Sequence, residues 1–218
     1  MPGITALKAA FSIRRRRKRD LKYDAMFDQL REKFPVDNEK WSDFISRFKR
    51  IAVPGKTILL KENEFSKKLY LIEKGSIRAW FNKDGKDLTV QFFFENETVA
   101  SIESLRKGTP SPITLETIEP AVLWCIDKED MDQVVEEIKA TPALLDMFIN
   151  TIFERTFDYM KHFVSFIKDT PQQRYLHLVH ERPQLVQRIP QHYIAAYLGI
   201  TTVHLSRKAS GAGARPEV

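Results

Sequence analysis

Residues from Pro190 to Arg207 have the types and the spacing of a segment that contacts a nucleic acid. Ile194, Ala195 and Leu198 fall on one face of a predicted helix, and the small Ala195 lets a second helix approach closely. Gly199 stands where a chain leaves a helix in the left-handed conformation. The pattern predicts a helix-turn-helix.

The second helix of this pair begins after Gly199. Thr201 or Thr202 can cap it, and Val203 is placed to pack back inward. Side chains on its outer side are where a recognition helix meets base edges and phosphates. Double-stranded DNA is therefore the first partner to consider, and an ordinary helical hairpin is the alternative. The predicted DNA-contacting residues are Thr202, Val203, Ser206, Arg207 and Lys208, together with Gln191 and His192.

The residues that follow Lys208 disfavour a helix, because Gly211, Gly213 and Pro216 lie among them. We expect the second helix to end at residues 208–210 and the helix-turn-helix to be truncated. A recognition helix of about two turns would fray, which would weaken sequence-specific binding.

Composition predicts a cytoplasmic protein of one or two domains with no membrane partner. The chain has 218 residues, of which 43% are hydrophobic, and that is enough for a sizeable core. Its apolar runs are far shorter than the roughly 20 residues that cross a bilayer, and no signal peptide precedes them. The single Cys125 excludes an internal disulfide and any all-cysteine metal or iron-sulfur site within one chain. Its apolar neighbours indicate a buried thiol.

The formal charge of +6 is unevenly distributed. Residues 1–25 carry eight Lys or Arg against two Asp, and they include the run Arg14 to Arg19. We expect this extension to be disordered and able to hold nucleic acid through phosphates, or else to lie upstream of a folded protein that begins near Met26. From Phe166 onward seven cations face three acids, as a DNA-facing module requires.

Between Phe44 and Ile126 the hydrophobic period is that of strands. Turn residues separate short runs rich in β-branched and aromatic residues, and Asp84-Gly85 between two of them indicates a hairpin. This pattern predicts an antiparallel roll or barrel. The predicted strands are Thr57–Leu60, Leu69–Glu73, Ser76–Asn82, Leu88–Phe94, Ile113–Ile118 and Val122–Ile126.

After Lys128 the pattern becomes helical, with one helix over Glu129–Ala140 and a longer one from Pro142 to Ile167. The longer helix has more apolar surface than a solitary helix can expose, so it suits a parallel partner helix in a homodimer, or else packing within one chain. Thr170 and Gln173 predict a capping box for the next helix. The predicted dimer contacts are Leu145, Phe148, Ile149, Ile152, Thr156, Tyr159 and Phe163.

In this order of elements the chain resembles the Crp/Fnr family, bacterial regulators named for the cyclic-AMP receptor protein and the fumarate-nitrate regulator. The resemblance covers about Met26 to Arg207 and depends on Val53-Pro54-Gly55-Lys56, on the stretches 69–78 and 92–97, on Thr170-Pro171-Gln172-Gln173-Arg174-Tyr175, and on residues 194–201. It implies an α+β chain with a cyclic-nucleotide-binding-like β-roll or jelly roll, a long dimerisation helix and a truncated helix-turn-helix of the winged-helix class. The implied domains are a disordered basic extension (residues 1–25), a sensor domain (26–141), a dimerisation helix (142–168) and a DNA-binding domain (169–218).

Departures from the family pattern restrict the range of effectors that the sensor domain is predicted to bind. Ser111 and Pro112 occupy the positions of the Arg-Ser or Arg-Thr pair that binds a cyclic phosphate, and Ser101 occupies that of the glutamate that binds ribose. Without a bidentate guanidinium the pocket lacks its strongest phosphate contact, so the resemblance implies a regulator that responds to a small-molecule effector other than cyclic AMP. The candidate effector residues are Phe94, Val99, Ser101, Glu103, Arg106 and Ser111.

Other classes of function lack their characteristic residues. The cysteines of cluster-binding family members are missing, and no histidine set indicates haem or another metal, so no cofactor is expected. A phosphate-binding loop and a nucleophile elbow are also missing, and residues 44–126 contain no histidine for a cupin-type metal site, so we predict no enzyme. The remaining alternative is a sensor and dimerisation module that has lost DNA binding through its short C-terminus.

Overall fold

The computed structural model describes residues 27, 31–32, 36–203 and 205–206. It divides the chain into two compact units, Met1–Ser46 and Arg47–Val218. In the first unit, helix α1 spans Asn38–Ser46, and the Asp37 carboxylate accepts the backbone N–H of Lys40 at 2.8 Å. The predicted basic extension, residues 1–25, lies outside the described residues.

The second unit contains two four-stranded antiparallel sheets, in the orders β1-β8-β3-β6 and β2-β7-β4-β5. This arrangement confirms the predicted antiparallel roll. The six predicted strands are present with ends shifted by one or two residues, whereas the sequence analysis missed β1 and the two-residue β6. The strands are β1 Lys49–Val53, β2 Ile58–Leu60, β3 Lys68–Lys74, β4 Ile77–Lys83, β5 Lys86–Phe93, β6 Thr98–Val99, β7 Thr114–Thr117 and β8 Ala121–Asp127.

The roll encloses a hydrophobic core to which strands of both sheets contribute alternate side chains. Cys125 is 3% exposed within this core, as expected for a buried thiol. The hairpin between β4 and β5 turns at Asp84 and Gly85, whose φ angles are 53° and 78°. Positive φ at both central residues is what a two-residue type I′ turn requires, so the predicted hairpin is confirmed.

Helices make up most of the chain after the roll. The short α2 follows β6, while α3 and the 27-residue α4 follow β8. Three shorter helices complete the chain up to Tyr197, and the predicted α3 and α4 agree with the structure to within one residue. The helices are α2 Ile102–Lys107, α3 Lys128–Ala140, α4 Pro142–Lys168, α5 Pro171–Glu181, α6 Pro183–Arg188 and α7 Gln191–Tyr197.

Helix α4 contacts other elements of the second unit along one side and leaves apolar side chains exposed along another. Leu144 is buried, the Arg155 guanidinium donates to the Thr98 carbonyl at 2.7 Å, and His162 stacks on Tyr197 with ring centroids 4.6 Å apart. Among the described residues, no helix is long and apolar enough to span a membrane.

The start of α5 is fixed by the predicted capping box. The Thr170 hydroxyl accepts the backbone N–H of Gln173 at 3.3 Å, and the Gln173 side chain accepts the backbone N–H of Thr170 at 2.9 Å. Pro171 occupies the first helical position, where its missing N–H costs nothing.

We therefore expect Thr170→Ala to lower the free energy of unfolding by about 1 kcal/mol, because the Gln173 N–H loses its acceptor. Urea unfolding followed by circular dichroism measures the change. Thr170→Ser keeps the hydroxyl and should stay close to the wild type. Equal stability of all three proteins would contradict this role for the cap.

Candidate nucleic-acid interface and effector region

The predicted helix-turn-helix is formed by α7, the turn at Gly199 and the residues that follow. Ile194, Ala195 and Leu198 are all buried, which confirms the predicted inner face. Gly199 has a φ of +69° and so takes the left-handed conformation that ends the helix. Helical backbone resumes at Thr202.

The prediction that Val203 packs inward is wrong. Its side chain is 62% exposed, whereas Leu205 is 2% exposed and belongs to the module's core. The backbone N–H of Leu205 bonds to the carbonyl of Thr201 at 3.0 Å, so the helical turn starts one residue before Thr202 and presents Leu205 inward. A shift of two residues along a helix turns a side chain by about 200°.

The structure places five of the seven predicted DNA-contacting residues on an exposed surface of the helix-turn-helix. They are Gln191, His192, Thr202, Val203 and Ser206. The other two, Arg207 and Lys208, lie outside the described residues. Exposed polar side chains on this surface are in a position to meet base edges or phosphates.

The inner side of the C-terminal module, which comprises α5, α6, α7 and the residues after Gly199, packs on the outer face of the β2-β7-β4-β5 sheet. Phe92 of β5 lies 5.2 Å from the Tyr197 ring, centroid to centroid. Phe92 and Phe94 share one hydrophobic cluster with the module, while Phe93 between them points into the roll. The members from the module are Tyr175, Leu178, Leu185, Ile189, Ile194, Ala195, Tyr197, Leu198 and Leu205.

This packing surface was not predicted, although three consecutive phenylalanines signal it. Along a strand, successive side chains point to opposite faces, so Phe92-Phe93-Phe94 cannot all enter one core. An aromatic residue on each face of β5 indicates a strand that is buried on both sides.

A buried ion pair lies beside Phe92 on the same outer face. Arg78 is 3% exposed, and its Nε and Nη2 donate to Oε2 of Glu116 at 2.9 and 2.6 Å. The Tyr193 ring of α7 covers the guanidinium, with its centroid 3.9 Å from Cζ. A desolvated guanidinium against an aromatic face is an attractive contact, so the pair holds α7 as well as joining β4 to β7.

A second ion cluster ties α6 to the turns of the roll. Arg188 donates to both carboxylate oxygens of Glu95, at 2.7 and 2.8 Å, and to Glu119 at 2.5 Å. Glu95 also accepts the backbone N–H of Gly75 at 2.9 Å. Chiefly because of the Arg188 hydrogen bonds, the pKa of Glu95 falls to about 2. The carboxylate therefore stays charged and paired at any physiological pH.

The residues predicted for the effector region do not converge on one cavity. Phe94 lies beneath Arg188, whose Cζ is 5.2 Å from its ring centroid, and Val99 is part of the roll core. Glu103 is exposed and pairs with Lys107 at 2.9 Å, and Arg106 is exposed on the same helix. These four side chains therefore have separate surroundings.

The serines of this region serve the local fold. Ser101 is buried at the start of α2, and the nearby Ser104 hydroxyl accepts the backbone N–H of Ser66 at 2.8 Å. The Ser111 hydroxyl donates to the carbonyl of Ile113 at 2.7 Å and accepts its N–H at 3.2 Å. The Ser111 hydroxyl thus stabilises its own loop.

Comparison with known proteins agrees with this geometry. Residues 50–137 match the cyclic nucleotide-binding domain family. A comparison with curated proteins found no match.

Solved structures of regulators match over most of their length. CLP of Xanthomonas campestris, a c-di-GMP responsive global regulator, is 18% identical with a TM-score of 0.64, over 82% of this chain and 92% of that one. A protein of Eubacterium rectale assigned to the crp/fnr family of transcriptional regulators is 17% identical with a TM-score of 0.65, over 86% and 91%. FixK2 of Bradyrhizobium japonicum is 14% identical with a TM-score of 0.61, over 75% and 83%.

Residues 50–137 thus match the cyclic nucleotide-binding domain family, and the chain has the fold of a Crp/Fnr-type regulator.

Proposed function

We propose that the chain is a homodimeric, cytoplasmic, DNA-binding transcription regulator whose sensor domain responds to a small molecule other than cyclic AMP. The observation that carries the proposal is the helix-turn-helix of α7, residues 199–203 and residues 205–206, whose apolar side is buried while its polar side is exposed. The proposal assigns the chain no catalytic reaction and no cofactor.

Charge supports DNA as the partner. Residues 166–218 carry seven Lys or Arg against three Asp or Glu, although the whole chain has equal numbers once residues 1–25 are set aside. Positive charge in the same segment as exposed Gln191, Thr202 and Ser206 supplies attraction to phosphates, while these side chains can read bases.

The exposed apolar stripe of α4 supports a homodimer. Ile152, Tyr159 and Phe163 are 47%, 49% and 61% exposed, and Ile149 and Thr156 are exposed beside them. They recur at alternating steps of three and four residues, the spacing of a two-helix seam. Leu145 and Phe148 are half-buried and extend the stripe toward the start of the helix. A parallel copy of α4 is the partner that would cover it.

The surroundings of Ser111 support an effector other than cyclic AMP. Its hydroxyl is engaged within the loop, Pro112 offers no donor, and the exposed Arg106 is on α2 rather than in the loop. CLP, which has the same fold, is described as responsive to c-di-GMP, so this fold accommodates more than one effector.

The first prediction concerns the dimer. Replacing both Ile152 and Tyr159 by Glu should produce monomers, because an unpaired charge within an apolar interface costs several kcal/mol. Light scattering measures the mass. The matched control is Glu154→Lys with Lys161→Glu on the opposite side of α4, which should remain dimeric. A dimer that survives the first pair of substitutions would reject this interface.

The second prediction concerns the effector. Titration calorimetry with cyclic AMP and cyclic GMP should show no saturable binding at micromolar concentrations, because a guanidinium opposite the phosphate is missing from the loop at Ser111. Saturable binding would contradict the prediction. Its loss in Arg106→Gln would then identify Arg106 as the replacement contact.

The third prediction concerns DNA. A duplex selected from a randomised pool at physiological salt should be bound less tightly by Arg207→Ala, by about 1–3 kcal/mol, the value of a good bidentate contact to guanine. The control is Lys139→Ala, which removes the same charge from the exposed surface of α3 and should change affinity little. If no duplex is enriched, the chain is instead a sensor and dimerisation module without DNA binding.

A further inference from the structure

We propose that the roll positions the helix-turn-helix directly, through a clamp of two arginines, Arg78 on the roll and Arg188 on the C-terminal module. Both are positioning residues, since neither is among the predicted DNA contacts. The consequence for DNA binding rests on the proposed function, whereas the clamp itself does not.

The Arg78 arm of the clamp is built into the sheet. Arg78 and Glu116 face each other in the register of β4 and β7, and their side chains pair at 2.6 Å with both almost fully buried. The carboxylate thereby fixes the guanidinium plane. The Tyr193 ring lies on that plane at 3.9 Å, while the Trp80 ring lies 4.7 Å from the same Cζ.

Tyr193 sets the rotation of α7 about its own axis. It follows directly after the exposed Gln191 and His192, and each residue of a helix turns by about 100°. When Tyr193 is held against Arg78, the exposed residues of α7 can point in only one direction relative to the sheet.

The Arg188 arm holds α6 at a separate point. Arg188 bridges Glu95 and Glu119, and both carboxylates are themselves fixed by the turn that leads into β4. Glu95 accepts the N–H of Gly75 at 2.9 Å, and Glu119 accepts the hydroxyl of Ser76 at 2.9 Å. The bidentate pairing with Glu95 fixes direction as well as distance.

Two attachments restrain a rigid module where one would leave it free to pivot. The arms engage different helices, α6 and α7, and both reach β4 or the turn immediately before it. Between them, Arg182 donates to the backbone carbonyl of Phe92 at 3.1 Å. A displacement of β4 therefore moves the helix-turn-helix with it, by a route that does not pass along α4.

The clamp can be tested by measuring distances between spin labels on the roll and on the module. Labels at Lys83→Cys in β4 and Gln184→Cys in α6 suit this purpose, because both positions are exposed and the native Cys125 is buried. Excess unlabelled protein isolates distances within one protomer. The wild-type background should give one narrow distance distribution. Arg188→Gln with Tyr193→Ala should broaden it markedly.

Matched variants separate positioning from general damage to the fold. Tyr193→Phe keeps the ring over Arg78 and should leave the distribution narrow, whereas Arg188→Lys, which loses the bidentate geometry, should broaden it partially. Arg50→Gln removes an arginine of β1 whose bidentate pairing with Glu73 does not involve the module, and it should have no effect. An unchanged distribution in the Arg188→Gln, Tyr193→Ala protein overturns the clamp. If that protein fails to fold, the comparison of Tyr193→Phe with Arg188→Lys decides instead, and a narrow distribution in both rejects it.

A second readout addresses DNA. With the duplex selected for the wild type, the clamp variants should tolerate altered half-site spacing that the wild type rejects, because half-site spacing reports module orientation. If the wild type binds no duplex, the proposed function fails while the distance measurement still decides the clamp. If the variants retain the strict spacing preference, the clamp does not control DNA geometry.

Discussion

The two faces of strands β4 and β5 are the constraint on which the rest of this structure depends. Ile77 and Phe93 point into the roll, whereas their neighbours Arg78 and Phe92 point toward the C-terminal module. One pair of strands therefore contributes to two hydrophobic cores. A one-residue slip in register would exchange the faces and place Arg78 inside the roll, so both cores enforce the same register.

Burying Arg78 is possible only because Glu116 is opposite it. Desolvating a guanidinium costs several kcal/mol, and a carboxylate with good geometry offsets much of that cost. Such a pair adds little net stability compared with apolar residues, but it offsets its desolvation cost only when the guanidinium and the carboxylate are correctly oriented. Because the pair lies under α7, it favours one orientation of the C-terminal module on the sheet over other orientations that would bury a similar apolar area.

Local signals explain what the sequence predicted well. Asp84-Gly85, the Thr170 capping box and Gly199 each act within a few residues, so the pattern that specifies them is contiguous. Strands β1 and β6 were missed for the opposite reason. Strand β1 begins with Lys49 and Arg50, which leaves too few apolar residues to show a strand period, and the two-residue β6 has no period to detect. The effector residues were predicted by alignment with a family pattern, whereas the structure gives side chains such as that of Ser111 local hydrogen-bond partners. The inward position of Val203 was predicted wrongly because the start of a short helix determines which residue faces inward. The helix starts after Thr201, whose carbonyl accepts the Leu205 N–H, and this start turns Leu205 inward.

The shared cluster around Phe92 and Phe94 has a consequence for the evolution and engineering of this fold. A regulator of this architecture can be regarded as two interchangeable domains, one that senses an effector and one that reads DNA. Here β5 contributes part of the hydrophobic core of the C-terminal module. Tyr197 packs on Phe92 of β5, and Tyr193 packs on Arg78 of β4. If the helices were grafted onto another sensor domain, their hydrophobic cluster would lack the side chains of Phe92 and Phe94. A functional chimera must carry the outer face of β4 and β5 along with the helices, so the unit of inheritance is larger than the helix-turn-helix.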